Sequence, residues 1–90
     1  MRKDLQAKAV RRLKIIEGQI RGLQKMVEEE SYCVDVITQA SAIKEALSGV
    51  EDLILENHLS THVIEQIKGG KQEQAIKEIL KVYKLAQKKK

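Results

Sequence analysis

Apolar residues recur along this chain at helical spacing, in three runs. The first is Leu5, Ala9, Leu13, Ile16, Ile20, Leu23 and Val27. Its steps of three and four form a seam close to a heptad repeat and predict a helix over about 4–28. Asp4 is the candidate cap at its start. Gly18 and Gly22 lie inside it, each costing ~1 kcal/mol relative to alanine. Close approach of another backbone, or of DNA, is the expected reason for them. The run Glu28-Glu29-Glu30-Ser31 then breaks the pattern, with Ser31 as the candidate N-cap of the next helix. Apolar positions resume at Val36, Ile37, Ala40, Ile43, Leu47, Val50, Leu53 and Ile54 and continue through Val63, Ile64 and Ile67. They predict one long helix from Tyr32 to about Lys68, containing no proline and only Gly49 as a glycine. Such a helix would be ~55 Å long and cannot fold back on itself, so it needs packing partners from another copy. Gly69-Gly70 ends it, and Ala75, Ile76, Ile79, Leu80 and Tyr83 predict a third helix over about 72–86.

Composition agrees with an all-α fold. Proline, Phe and Trp are absent, and no alternating β-branched or aromatic run suggests a strand. Ninety residues make a single domain, 1–90, whose limited core favours oligomerisation. No apolar run approaches the ~20 residues of a membrane span, and the charged start is unlike a signal peptide. One cysteine excludes an intrachain disulfide framework and fits a reducing, cytoplasmic setting. The net charge of +4 is modest and by itself describes solvated helix faces. Clustering changes that picture. Arg2, Lys3, Lys8, Arg11, Arg12, Lys14 and Arg21 all fall in the first quarter, and Lys88-Lys89-Lys90 form a basic tail.

The soft ligands are Cys33, His58 and His62. The histidines are i and i+4 on the predicted second helix, so their rings leave one face a turn apart and can share a metal ion. Paired surface histidines also arise by chance, and a lone cysteine is commonly a small apolar residue. Cys33 lies 25 positions before His58, or ~37 Å along a continuous helix. The thiolate therefore joins the histidines only across two chains, if two copies of this helix pack antiparallel. Twofold symmetry then gives two equivalent sites per dimer. Thiolate with imidazole suits Cu(I), or Zn(II) with a fourth ligand such as water.

The order of these residues resembles the CsoR/RcnR family of bacterial metal-sensing repressors. The likeness covers nearly the whole chain. It rests on Arg12-Leu13, Glu17-Gly18-Gln19-Ile20-Arg21-Gly22 and Met26, then Tyr32-Cys33-Val34-Asp35-Val36 and Gln39. It continues through Ala42, Ala46-Leu47, Asn57-His58-Leu59 and His62. The resemblance implies three helices, an antiparallel four-helix-bundle dimer made by the first two, and often a dimer of dimers. It implies a repressor that releases operator DNA when its effector binds, with Cys33, His58 and His62 as the metal ligands. Copper sensors of the family often carry a second cysteine where this chain has His62. Nickel and cobalt sensors add a histidine near the N-terminus, absent here from residues 1–8. Persulfide sensors need two cysteines, and formaldehyde sensors carry a proline where this chain has Arg2. Cu(I) is the expected effector, with Zn(II), Ni(II), Co(II) or formaldehyde as alternatives. The resemblance also implies that Tyr32 and Glu78 back the ligands, accepting the N–H that a metal-bound imidazole leaves over.

No helix-turn-helix is evident, so double-stranded operator DNA would meet the basic stripe of the first helix. The candidates are Arg11, Arg12, Lys14 and Arg21, with Lys44 on the second helix. Combined across a homodimer or homotetramer, they would form a positive face for phosphates. Two other classes stand beside this reading. A helical copper-buffering protein would bind metal without operator DNA. A thiol enzyme using Cys33 would need a pocket and an oxyanion stabiliser that no loop here supplies.

Overall fold

The computed structural model describes residues 1–87, so the Lys88–Lys90 tail lies outside the described residues. Four helices follow one another: α1 Lys3–Glu28, α2 Cys33–Ser60, α3 His62–Lys68 and α4 Gln72–Gln87. The all-α expectation holds, and the six helix boundaries expected from periodicity each fall within about a residue of an observed one. The long second helix does not stay whole. It is interrupted at Thr61, where φ −125° and ψ −77° leave the helical region. Neither glycine nor proline marks the spot. Ser60 and Thr61 are weak helix formers whose hydroxyls compete for backbone groups, and Thr61 is also β-branched.

The chain divides into two compact units, Met1–Asn57 and the part from His58 onward. In the first, α1 and α2 pack as an antiparallel pair. Leu5, Ala9 and Ile16 of α1 meet Ile43, Val50 and Leu53 of α2, with Leu23 and Ala46 against them. Each buried Ile or Leu is worth about 1.5–3 kcal/mol. The α1 row turned to α2 is narrower than the seam read from the sequence: Ile16 is 3% exposed, whereas Ile20 is 48% exposed. Leu13 and Val27 are likewise exposed, on a second stripe beside the first. Buried Asn57 accepts a 2.8 Å hydrogen bond from the Arg2 backbone N–H and ties the two helices together at their open end. That bond needs a backbone N–H at position 2, which a proline would lack.

The turn between α1 and α2 corrects two cap assignments. Glu30 adopts φ 55°, and the Ser31 and Glu30 N–H groups donate to the Met26 and Val27 carbonyls. This is a Schellman closure, and Ser31 belongs to it. Tyr32, whose carbonyl accepts from Asp35 and Val36, is the residue that leads into α2. Asp4 is inside the first turn of α1 rather than capping it, and its carboxylate accepts from the Arg2 guanidinium at 2.8 Å. Asp4 therefore complements the helix dipole from inside the first turn.

In the second unit, α3 and α4 form a short hairpin joined by Gly69, Gly70 and Lys71. Gly70 takes φ 76° and Lys71 N–H donates to the Gln66 carbonyl at 2.7 Å, the same closure with glycine at the left-handed position. Val63 and Ala75 are its buried apolar residues. Among the described residues no large side chain is sealed completely. Exposed apolar residues include Leu47 and Ile54 on α2 and Ile76, Leu80 and Tyr83 on α4. No described helix is long and apolar enough to cross a membrane.

Candidate metal site

His58 stands in the last turn of α2 and His62 is the first residue of α3. The break at Thr61 lies between them, yet the rings remain neighbours, with centroids 5.5 Å apart and planes inclined at 57°. Glu78 of α4 completes the group. Its Oε2 lies 3.1 Å from His58 Nε2, and the two side chains are 24% and 38% exposed for His58 and Glu78 respectively. The distance suits a hydrogen bond but the alignment does not, so His58 Nε2 is buried without a well-formed partner. The ring presents Nε2 to the carboxylate, which leaves Nδ1 as the other nitrogen available to a ligand or a metal.

Two glutamines hold the carboxylate. Gln66 Nε2 of α3 donates to Glu78 Oε2 at 3.2 Å, and Gln74 Nε2 of α4 donates to Oε1 at 3.2 Å. These amides, Gln66 first and then Gln74, hold the Glu78 carboxyl below the usual carboxylate range. The proximity of His58 adds to this, and partial burial opposes it. The group lines an open cleft of about 450 Å³ that also includes Glu65, Gly69 and Lys71.

Cys33 is exposed and free at the first residue of α2, and Tyr32 beside it is exposed as well. The structure thus brings His58, His62 and Glu78 together and leaves Cys33 and Tyr32 at the other end of α2. Among the described residues of one chain, no three His, Cys, Asp or Glu side chains converge as a metal site.

The basic candidates Arg11, Arg12, Lys14, Arg21 and Lys44 are all exposed. Arg21 is paired with Glu17 at 2.9 Å, one turn away on α1. Arg12 belongs to the α1 row turned toward α2, and its guanidinium reaches to 3.5 Å from the position of a Cβ at Gly49. It snorkels past the glycine, with its charge at the edge of the helix pair.

Three residues beside this machinery escaped the sequence reading. Gln66 and Gln74 carried no signal, since glutamine is an ordinary helix residue. Asn57 did carry one: it continues the buried row Val50, Leu53 at helical spacing, where a polar residue requires a partner.

The family model of metal-sensitive transcriptional repressors matches residues 5–84, across both units. The chain is 51% identical over 73 residues to the copper-sensing transcriptional repressor CsoR of Bacillus subtilis strain 168, covering 81% of this chain and 72% of that protein. It is 46% identical over 68 residues to the copper-sensing transcriptional repressor RicR of Mycobacterium tuberculosis H37Rv, covering 76% and 68%. Its fold matches the crystal structure of the copper-sensing repressor CsoR with Cu(I) from Geobacillus thermodenitrificans NG80-2. That match has a TM-score of 0.84 at 42% identity, over 94% of this chain and 88% of that one. These relatives are repressors, not enzymes, which removes the thiol-enzyme reading of Cys33. On the strength of a family match spanning nearly its whole length, the chain belongs to the metal-sensitive transcriptional repressors.

Proposed function

We propose that this protein is a copper-responsive repressor. Metal-free, it binds double-stranded operator DNA as a homodimer or homotetramer. It releases the DNA when Cu(I) binds Cys33 of one subunit together with His58 and His62 of another. The observation that carries this reading is the His58–His62 pair, backed by Glu78, with the chain's sole thiol 25 positions away along α2. Two imidazoles need a soft third ligand for a trigonal Cu(I) site, and a second chain must bring it.

The face of α2 supports such an assembly. Cys33, Ala40, Leu47 and Ile54 recur every seven residues on one stripe, and Leu47 and Ile54 are apolar and exposed. Antiparallel pairing of two α2 helices about Leu47 would set Ala40 against Ile54. It would also set Cys33 against position 61, between the two histidines. Copper is favoured by the names of the relatives, and one solved relative contains Cu(I). Zn(II) would need a fourth ligand. A nickel or cobalt site would need a histidine near the N-terminus that the chain lacks. A formaldehyde sensor's proline is replaced by Arg2, whose N–H is engaged by Asn57. Nδ1 of His58 is the nitrogen offered to the metal, and a metal there makes Nε2–H a stronger donor to Glu78. Tyr32, next to Cys33, would approach the same site across the subunit boundary. Arg11, Arg12, Lys14 and Arg21, with Lys44, would meet DNA phosphates.

The test is an anaerobic Cu(I) titration of the free and DNA-bound protein. We expect one Cu(I) per chain and a copper-dependent loss of DNA affinity. The Cys33→Ala variant should still bind DNA but no longer release it. Copper binding without any effect on DNA affinity would make the protein a copper buffer instead.

A further inference from the structure

Glu78 is shared by three helices. His58 approaches it from the end of α2, Gln66 donates to it from α3 and Gln74 donates from within α4. The two amides occupy both carboxylate oxygens. A glutamate side chain on a helix surface ordinarily rotates freely, and this one accepts two side-chain hydrogen bonds. Gln66 accepts a penalty in doing so, because its own Oε1 is buried with no donor among the described residues. Turning the amide over would set that oxygen against the carboxylate, so the orphan follows from the bond to Glu78. A glutamine kept only for packing would be better replaced by leucine or methionine. Polar strain of this kind is expected where a residue serves function rather than stability.

We propose that Gln66 and Gln74 are positioning residues that clamp Glu78, so that the carboxylate meets only the Nε2 side of His58. This rests on the copper-responsive reading above and names the parts that transmit its signal. The clamp has two effects. It commits Nε2 to the carboxylate and so presents Nδ1 to the metal. It also joins α3 and α4 to the same acceptor. When a metal on Nδ1 strengthens the Nε2–H donor, the present 3.1 Å off-line approach closes into a true hydrogen bond. Because the carboxylate cannot swing alone, α3 and α4 move with it. Without the glutamines, Glu78 would follow His58 by rotating about its own side-chain bonds, and the helices would stay where they are.

The experiment compares the parent with Gln66→Leu, Gln66→Lys and Gln74→Leu, each as the full chain. Read first, in the metal-free protein, are the side-chain amide NMR signals of Gln66 and Gln74, with Glu78→Ala as the reference. Both amides should shift when the carboxylate is removed. Read second are Cu(I) affinity of the free protein by chelator competition and DNA affinity with and without Cu(I). The leucine variants should keep metal-free DNA affinity within about threefold, and their Cu(I) affinity should fall by less than about tenfold, because Nδ1 is less firmly presented. They should lose about tenfold of the copper-dependent change in DNA affinity. Gln66→Lys, which restores a donor of similar reach, should retain that change. Full coupling in both leucine variants, or amides that ignore Glu78→Ala, would overturn the proposal. So would equal loss in Gln66→Leu and Gln66→Lys, which would assign position 66 a role in packing rather than donation. A parent protein that shows no copper-dependent release would instead overturn the repressor mechanism itself, a separate result.

Discussion

Asn57 shows what one polar residue does in an apolar row. Its side chain is buried and its Oδ1 takes the Arg2 N–H, an amide at the start of α1 that no helix carbonyl can satisfy. Asn57→Ala should therefore cost about 1–2 kcal/mol in a urea denaturation, for the lost bond and the gap left behind. No change in the midpoint would show that water replaces the bond without cost. Asp4 and Glu78 give a pH dependence of definite sign. Arg2 holds Asp4 below the ordinary carboxylate range, and Gln66, followed by Gln74, holds Glu78 there. A carboxyl depressed on folding contributes stability above its unfolded value and loses it as pH falls through the folded value. The melting temperature should thus fall on acidification below about pH 4. Asp4→Asn and Glu78→Gln should each lose less than the parent between pH 6 and pH 3. Both groups are exposed to water, so each difference will be small. An equal acid loss in parent and variants would show that other carboxylates dominate.

At the scale of elements, the two helix stops make a controlled comparison. α1 and α3 end in the same hydrogen-bond closure, but the left-handed residue is Glu30 in one and Gly70 in the other. Glutamate pays a steric cost there that glycine avoids. Glu30→Gly should stabilise the protein by about 0.5–1 kcal/mol, net of the freedom glycine adds to the unfolded chain. A lower melting temperature would mean that the Glu30 side chain contributes something the turn geometry does not reveal. Helix limits were legible because the breakers were chemical: a glutamate run before Ser31 and paired glycines at 69–70. The break at Thr61 was not, because a helix that stops without glycine or proline is decided by competing hydrogen bonds around it. The glycines inside α1 also look different in three dimensions. Among the described residues nothing lies within 4 Å of a Cβ built on Gly22, and only the Arg21 guanidinium approaches one on Gly18. Among the described residues no backbone of another helix explains either glycine.

For the whole molecule, the decisive feature is apolar surface left over after α1 and α2 have paired. Leu13, Ile20, Leu47 and Ile54 are all more than a third exposed, and on a chain this short such stripes are what assembly with another copy would cover. The proposed intersubunit site makes a demanding prediction. Cys33→Ala and His58→Ala/His62→Ala chains should each fail to bind Cu(I) tightly when alone. Mixed and refolded together, they should form hybrid dimers with one intact site, combining the thiol of one chain with the imidazoles of the other. Anaerobic titration of the mixture should recover that binding, at one Cu(I) per hybrid. Two inactive chains that stay inactive when mixed would place the ligands within one subunit or exclude this pairing.

The sequence by itself determined the helices apart from the break at Thr61, the long separation of Cys33 from His58 and the i, i+4 pairing of His58 with His62. These follow from periodicity and from the fixed rise of a helix, which act locally and need no fold. Tertiary structure alone decided which of two adjacent apolar stripes on α1 is buried, that Arg12 passes over Gly49, and that Gln66 and Gln74 hold the Glu78 carboxylate beside His58. Those outcomes depend on how side chains from separate helices fill one space. An exposed glutamine and a clamping glutamine are the same letter until the helices that carry them have packed.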